Sequence, residues 1–306
     1  MTTPSSWRTR IAPTPSGYLH HGNGFNFLLT YLLARLHSGW VYLRIDDGDA
    51  TRSRDEFLED IFFTLDWLGI EPDAGPGCVS DQQRTYSQQL RQGEYRLALD
   101  QLLEAGKAYA CRCSRKDIKE HSRDGLYPGT CRPLMRRSFE EPFSIRACMG
   151  AEAESVSFSS LAGAEKRLNV RQVQGDMVLW RKDDLAAYHL ASVCDDEKLK
   201  ITHIVRGADL LDSTAAQAWL AQSLGLSHFS SARFMHHGLV IGGDGEKLSK
   251  SAGAIALKHR RAHESSPKQY YQEFLDWVGG PKWPIGNMEE LLDAFATVDT
   301  SVLDIA

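Results

Sequence analysis

Apolar positions along the chain follow two alternating rhythms, one of strands and one of helices. Residues 8–13 read as a first buried strand. Gly22-Asn23 then opens a helix over 25–37, dense in leucine and aromatic residues. Ser38-Gly39 stops it, with glycine accepting the left-handed backbone of a helix end. Residues 40–46 form a second strand. Ser53 caps a further helix, with Glu56 three positions on in the capping-box arrangement, and that helix closes at Gly69. This β-α-β-α order predicts a parallel sheet covered by helices. The rhythm breaks near 73–77. A long polar helix over 82–105 follows, then a cysteine-rich stretch and an irregular region to about 169. Alternation resumes with a strand at 177–181, a helix at 185–193, a strand at 201–205, a helix at 214–224 and an apolar run at 236–241 before a glycine-rich loop. Amphipathic helices at 268–278 and 288–296 close the chain. One α/β domain interrupted by a long insertion is the expectation.

Composition narrows the class. The 306 residues are 42% hydrophobic and 25% charged, which suits one large core and a smaller module. No run nears 18 uninterrupted apolar residues, and the first residues lack the apolar centre of a signal peptide. A cytoplasmic protein without membrane contact, acting as a monomer, is expected. The net charge of −5 gives no general attraction for nucleic acid, yet residues 107–137 hold nine Lys or Arg against three acids. Such a patch can meet phosphates locally; on charge alone, a solvated loop region explains it equally well. Six scattered cysteines in a well-cored chain point to reduced thiols or metal ligands.

Two stretches carry phosphate chemistry. Pro13-Thr-Pro-Ser-Gly-Tyr-Leu-His20-His21-Gly22-Asn23 lies at a strand-to-helix turn. Ligands of open α/β sheets bind there, and helix N-termini offer free N–H groups to anions. Gly22 lets a nucleotide approach the backbone, and His20 can donate to phosphate oxygens. Downstream, Lys247-Leu-Ser249-Lys250-Ser251 follows a glycine-rich run, and its cations suit a triphosphate whose charge grows in the transition state. Each signal alone is weak. Together, in this order at opposite ends of a split α/β domain, they resemble the HIGH and KMSKS signatures of class I aminoacyl-tRNA synthetases. Asn23 stands where HIGH has its second histidine. Arg10-Ile-Ala-Pro-Thr-Pro-Ser-Gly17, Leu43-Arg-Ile-Asp-Asp47, Ala187-Tyr-His-Leu-Ala191 and Val205-Arg-Gly-Ala-Asp209 resemble glutamyl-type members. A third constellation, Cys111-x-Cys113 with Tyr127-x-x-x-Cys131, is similar to the metal cluster of the glutamyl-Q tRNA(Asp) synthetases, short paralogues without an anticodon-binding domain. Spacing alone leaves a zinc site and unligated thiols about equally open.

The resemblance implies a Rossmann-type α/β fold with a parallel sheet split by a zinc-containing insertion. Its parts would be a first catalytic half at 8–106, the insertion at 107–170, a second half with the signature loop at 171–251 and a short helical C-terminal region at 252–306. It implies activation of glutamate with ATP and Mg²⁺ and transfer to tRNA, to the queuosine base in the anticodon of tRNA(Asp). His20 and Lys250 would be catalytic. His20, Gly22, Asn23, Lys247, Ser249 and Lys250 would hold ATP. Arg10, Ala12, Thr14, Asp46, Tyr188 and Arg206 would line the amino acid pocket, and Cys111, Cys113, Tyr127 and Cys131 would hold structural zinc. One departure stands out: glutamyl members carry Glu where this chain has Asp46. The alternatives are another amino acid or acceptor, a nucleotidylyltransferase-like enzyme and a non-catalytic paralogue.

Overall fold

The computed structural model describes residues 7–122, 125–140, 142–149, 155–240 and 256–305. Strands β1 (Arg8–Ile11) and β2 (Trp40–Leu43) pair in parallel, joined over helix α1 (His21–Leu36). Helix α2 (Asp55–Trp67) follows. The second half of the sheet has β5 (Ser155–Ser160), β6 (Glu165–Asn169), β8 (His203–Gly207) and β9 (Arg233–His237) in the order β6-β5-β9-β8. It is parallel except for the β5-β6 hairpin. The halves meet at β1 and β8, where Thr202 N–H donates to Arg8 O at 2.9 Å and Arg8 N–H donates to Thr202 Oγ1 at 2.8 Å. Helices α5 (Tyr188–Lys198) and α6 (Leu211–Leu224) belong to this half.

A separate antiparallel sheet, β3-β4-β7, gathers β3 (Ala108–Cys111), β4 (Ser144–Ala147) and β7 (Val178–Trp180). The alternating pattern at 177–181 is therefore a strand, but not of the parallel sheet. Periodicity reports a strand and its buried face, while its partner is chosen by tertiary contact. The short helix α4 (Arg115–His121) follows β3.

The polar helix expected at 82–105 is continuous only as α3 (Gln92–Glu104). Before it the chain makes a π-helical turn at Gln82–Tyr86 and a 3-10 turn at Gln88–Arg91. The cause is buried polar contact with the end of β2. Gln82 Nε2 and Gln88 N–H each donate to the Asp47 carboxylate at 2.8 Å, and Ser87 Oγ accepts from Gln89 N–H at 3.1 Å. These bonds compete with the helical ladder.

Two local expectations change. Helix α2 starts after Arg54 with no side-chain cap, so Ser53 does not cap it. Asp55 and Glu56 in its first turn favour the helix dipole instead. After α1 the left-handed residue is Ser38 (φ 50°), not Gly39. Gly39 is required because a Cβ there would lie 2.7 Å from the Trp7 ring. The C-terminal helices α8 (Lys268–Trp277) and α9 (Met288–Phe295) pack on α1 and α2, adding Tyr270, Phe274, Leu291 and Phe295 to the core. Between α6 and α8 lies the basic helix α7 (Leu257–His263). Among the described residues no helix is long and apolar enough to cross a membrane.

Candidate active site and metal centre

The turn between β1 and α1 forms one wall of a cavity of about 580 Å³ at the carboxyl ends of the parallel strands. Ala12, Thr14, His20, Gly22 and Asn23 line it, facing Arg206 at the end of β8 and His237 at the end of β9. The turn is built tightly. His20 N–H donates to Asn23 Oδ1 at 2.9 Å, so Asn23 also caps the helix it opens. A Cβ at Gly22 would press on the His20 ring at 3.3 Å, so glycine is needed for the histidine's placement as well as for backbone access. His21 turns inward against Phe25 and Tyr270, and burial lowers its pKa. The Tyr270 hydroxyl donates to His21 O at 2.7 Å, which ties the C-terminal helices to the turn.

Arg206 is the notable charge. It is buried, and its guanidinium donates to two neutral oxygens, Gln217 Oε1 at 2.8 Å and Thr214 Oγ1 at 2.5 Å. Its Nε has no partner, and among the described residues it forms no ion pair. Burial pushes its pKa down to about 10, with the Tyr188 hydroxyl acting in the opposite sense. It therefore stays charged at neutral pH, an unneutralised buried cation facing a cavity. His236 beside it, 2.6 Å from Thr214 Oγ1, is pushed to about 3 by burial and by Arg206 and is neutral.

Arg10 and Asp46 lie in a buried ionic network rather than on the wall of this cavity. Arg10 Nε meets Asp196 on α5 at 3.1 Å. Arg44 bridges two acids, Asp196 at 2.6 Å and Asp46 at 2.7 Å. Gln88 Nε2 donates to Asp46 at 3.2 Å and to Asp195 at 2.9 Å. Asp195 also accepts from Arg91 and Tyr95. Burial raises the Asp46 pKa against the opposing pull of Arg44. Tyr188, at the start of α5, is half-exposed. Lys247, Ser249 and Lys250 lie outside the described residues. Sequence reading missed Arg44, Gln88, Asp195 and Asp196. The adjacent acids Asp195-Asp196 on the apolar helix after Leu190 were the available signal, since charges on a buried face need partners.

The thiols converge at the edge of the small sheet. The sulfurs of Cys111, Cys113 and Cys131 lie within 4.8 Å of one another, with Cys113 to Cys131 at 3.6 Å. The Tyr127 hydroxyl is 3.3 Å from Cys111 Sγ and 3.6 Å from Cys113 Sγ. Ligands at about 2.3 Å in a tetrahedron stand roughly 3.8 Å apart, so the spacing fits a four-coordinate metal. Burial first of all pushes the Cys113 thiol up to about 11, whereas Cys131 is held lower despite burial, chiefly by the Tyr127 hydroxyl.

Residues 6–296 match the family model of tRNA synthetases class I (E and Q), catalytic domain. The chain belongs to this family. A glutamyl-Q tRNA(Asp) synthetase of Burkholderia cenocepacia is 38% identical over 259 residues, covering 82% of this chain and 83% of that relative. The glutamate–tRNA ligase of Hydrogenobaculum sp. is 34% identical over 277 residues, covering 86% of this chain but 56% of that relative. A solved glutamate tRNA ligase from Elizabethkingia meningosepticum, in complex with its amino acid, superposes with a TM-score of 0.74 at 25% identity, over 95% of this chain and 64% of that one. The synthetase chain thus spans under two thirds of these two ligases, and most of the glutamyl-Q relative. The class I α/β fold with its parallel sheet is borne out.

Proposed function

We propose that this synthetase activates glutamate with ATP and Mg²⁺ and transfers it to tRNA, to the queuosine base in the anticodon of tRNA(Asp). The observation that carries the reading is Arg206, a buried guanidinium without a carboxylate partner beside the signature turn. A planar fork in that position suits a carboxylate, and Ala12 and Thr14 line the same cavity. An α-carboxylate oxygen of glutamate attacks the α-phosphorus of ATP, the bond to the β-phosphate oxygen breaks, and pyrophosphate leaves. An acceptor hydroxyl then attacks the acyl carbon and AMP leaves. No enzyme nucleophile is required, so positioning and charge stabilisation dominate. Magnesium would neutralise phosphate charge. His20, the backbone at Gly22 and Asn23, and the loop residues Lys247, Ser249 and Lys250 would hold the phosphates. Arg10, Tyr188 and Asp46 would order the amino acid side of the site, Arg10 and Asp46 through the network on Asp196. The similarity to glutamyl-Q relatives over most of both chains supports the queuosine acceptor. A monomer working in the cytoplasm is the expected setting; the module boundary expected at 170 does not follow the sheets, because residues 155–169 pair in the sheet of the second half while Val178–Trp180 pairs in the small one.

Amino-acid-dependent pyrophosphate exchange tests this. Exchange with glutamate should exceed that with glutamine or aspartate by at least about a hundredfold, the discrimination a paired charge permits. A preference for glutamine, or no exchange with any amino acid, defeats the reading.

Cys111, Cys113, Tyr127 and Cys131 would hold structural zinc. Elemental analysis of protein purified without added metal should find one zinc per chain, and Cys113→Ser should abolish it. The variant should also melt earlier, because structural zinc contributes folding energy directly. A fully folded, metal-free wild type is the contrary result.

A further inference from the structure

A second cavity, of about 380 Å³, lies where the thiol module meets the start of α5, and Arg146, Tyr127, Asp176, Tyr188 and His189 line it. Arg146 on β4 is 8% exposed. Among the described residues its only side-chain hydrogen bond runs from Nη1 to the Asp176 carbonyl at 2.9 Å and its Nε has no partner, and its guanidinium lies 4.0 Å from the centre of the Tyr127 ring. The nearby Asp176 carboxylate is committed elsewhere. It accepts from the Tyr109 hydroxyl, from Arg132 Nε at 2.7 Å and from Met149 N–H at 3.0 Å. Arg146 is thus a second buried cation without a carboxylate partner among the described residues, and it opens onto a cavity.

Two further features share its preference for an anion. The first turn of α5, Tyr188 and His189 following Ala187, has no side-chain cap and borders the same space, and a helix N-terminus favours an anion beside it. The buried Nδ1 of His189 has no partner. On the outer side, a cleft of about 310 Å³ shares Leu126 and Tyr127 with the inner cavity and carries His121, Arg132 and Arg171. The inner cavity and the outer cleft therefore adjoin through Leu126 and Tyr127.

We propose that this inner cavity takes a phosphate of the acceptor nucleotide of the RNA, with Arg146 as its buried cation and the first turn of α5 as its second donor. The inference rests on the proposed transfer to tRNA and adds where the acceptor strand is gripped. A buried arginine with no acid beside it is poorly explained by packing, since an apolar side chain of equal length would fill the place without desolvating a charge. The competing explanation is that Arg146 balances the negative charge of the cysteine and tyrosine cluster through its stacking on Tyr127.

Direct binding of queuosine-containing tRNA(Asp) over a range of salt, to wild type and to Arg146→Met, separates these, with zinc content and the KM and kcat of glutamate transfer measured alongside. Arg146→Met should weaken tRNA binding and raise the tRNA KM about tenfold, with the salt slope reduced by about one phosphate contact. Arg146→Lys, which keeps the charge, should recover part of both and serves if the methionine variant does not fold. Unchanged binding and salt slope would overturn the proposal. So would loss of zinc with tRNA binding intact, which would assign Arg146 to the metal cluster, or competition by inorganic phosphate that does not depend on Arg146. Because binding needs no glutamate, failure of the glutamate reading in the exchange assay leaves this result separately readable.

Discussion

Arg206→Met is expected to lower kcat/KM for glutamate in pyrophosphate exchange by about three orders of magnitude, while leaving the protein as stable as wild type or more so. Removing one member of a buried charge pair costs about 2–5 kcal/mol of binding, and in the proposed complex the substrate carboxylate is that partner. In the free protein its partners among the described residues are neutral, Gln217 and Thr214. An apolar side chain of similar length removes a desolvated charge there, a change that is often neutral or stabilising. Arg206→Lys should not rescue, because an ammonium lacks the planar fork. Exchange assays and urea denaturation together read the result. A variant that loses stability and activity in proportion would make Arg206 a structural residue.

Asp196→Ala should produce the opposite pattern, with collapse of stability first. This carboxylate is shared by Arg10 and Arg44 at 3.1 and 2.6 Å, and all three side chains are buried. Its loss leaves Arg10 with no acid partner among the described residues, a change expected to cost about 3–5 kcal/mol. Asp46→Ala should cost less, because Arg44 keeps Asp196. Thermal and urea melts of the two variants give the comparison. A loss for Asp196→Ala no larger than for Asp46→Ala would mean that the network is not organised around Asp196. The same geometry bears on the departure at Asp46. Arg44 and Gln88 already occupy its oxygens, so Asp46→Glu must push one methylene into a space these partners fill. In a closely packed interior that displacement is felt.

Much of the site was legible before any coordinates. The signature turn works within a few consecutive residues, so its glycine, its histidine and the helix it opens are local properties. The spacing of Cys111-x-Cys113 and Tyr127-x-x-x-Cys131 left zinc and unligated thiols equally open; the fold brings the sulfurs of Cys111, Cys113 and Cys131 within 4.8 Å of one another. The polar helix expected at 82–105 was misread for the opposite reason. Its composition is helical, but Gln82 and Gln88 leave the helical ladder to bond Asp47, in the segment after β2 some 40 residues earlier. No window of sequence contains that contact.

What the sequence by itself determined about this protein is therefore its rhythm and its local chemistry: the β-α-β-α order, the two amphipathic C-terminal helices, the histidine turn and the thiol spacing. These follow from side-chain periodicity and from bonds between near neighbours, which the chain carries wherever it goes. The tertiary structure alone decided the pairings of charge. Arg10 and Arg206 are both arginines near strand ends, yet Arg10 is neutralised by Asp196, 186 residues away, while among the described residues Arg206 meets only amide and hydroxyl oxygens. It also decided that the strand Val178–Trp180 joins the small antiparallel sheet rather than the parallel one. Burial strips water from a charge, and the cost or the use of that charge then depends on which distant groups the fold brings to it.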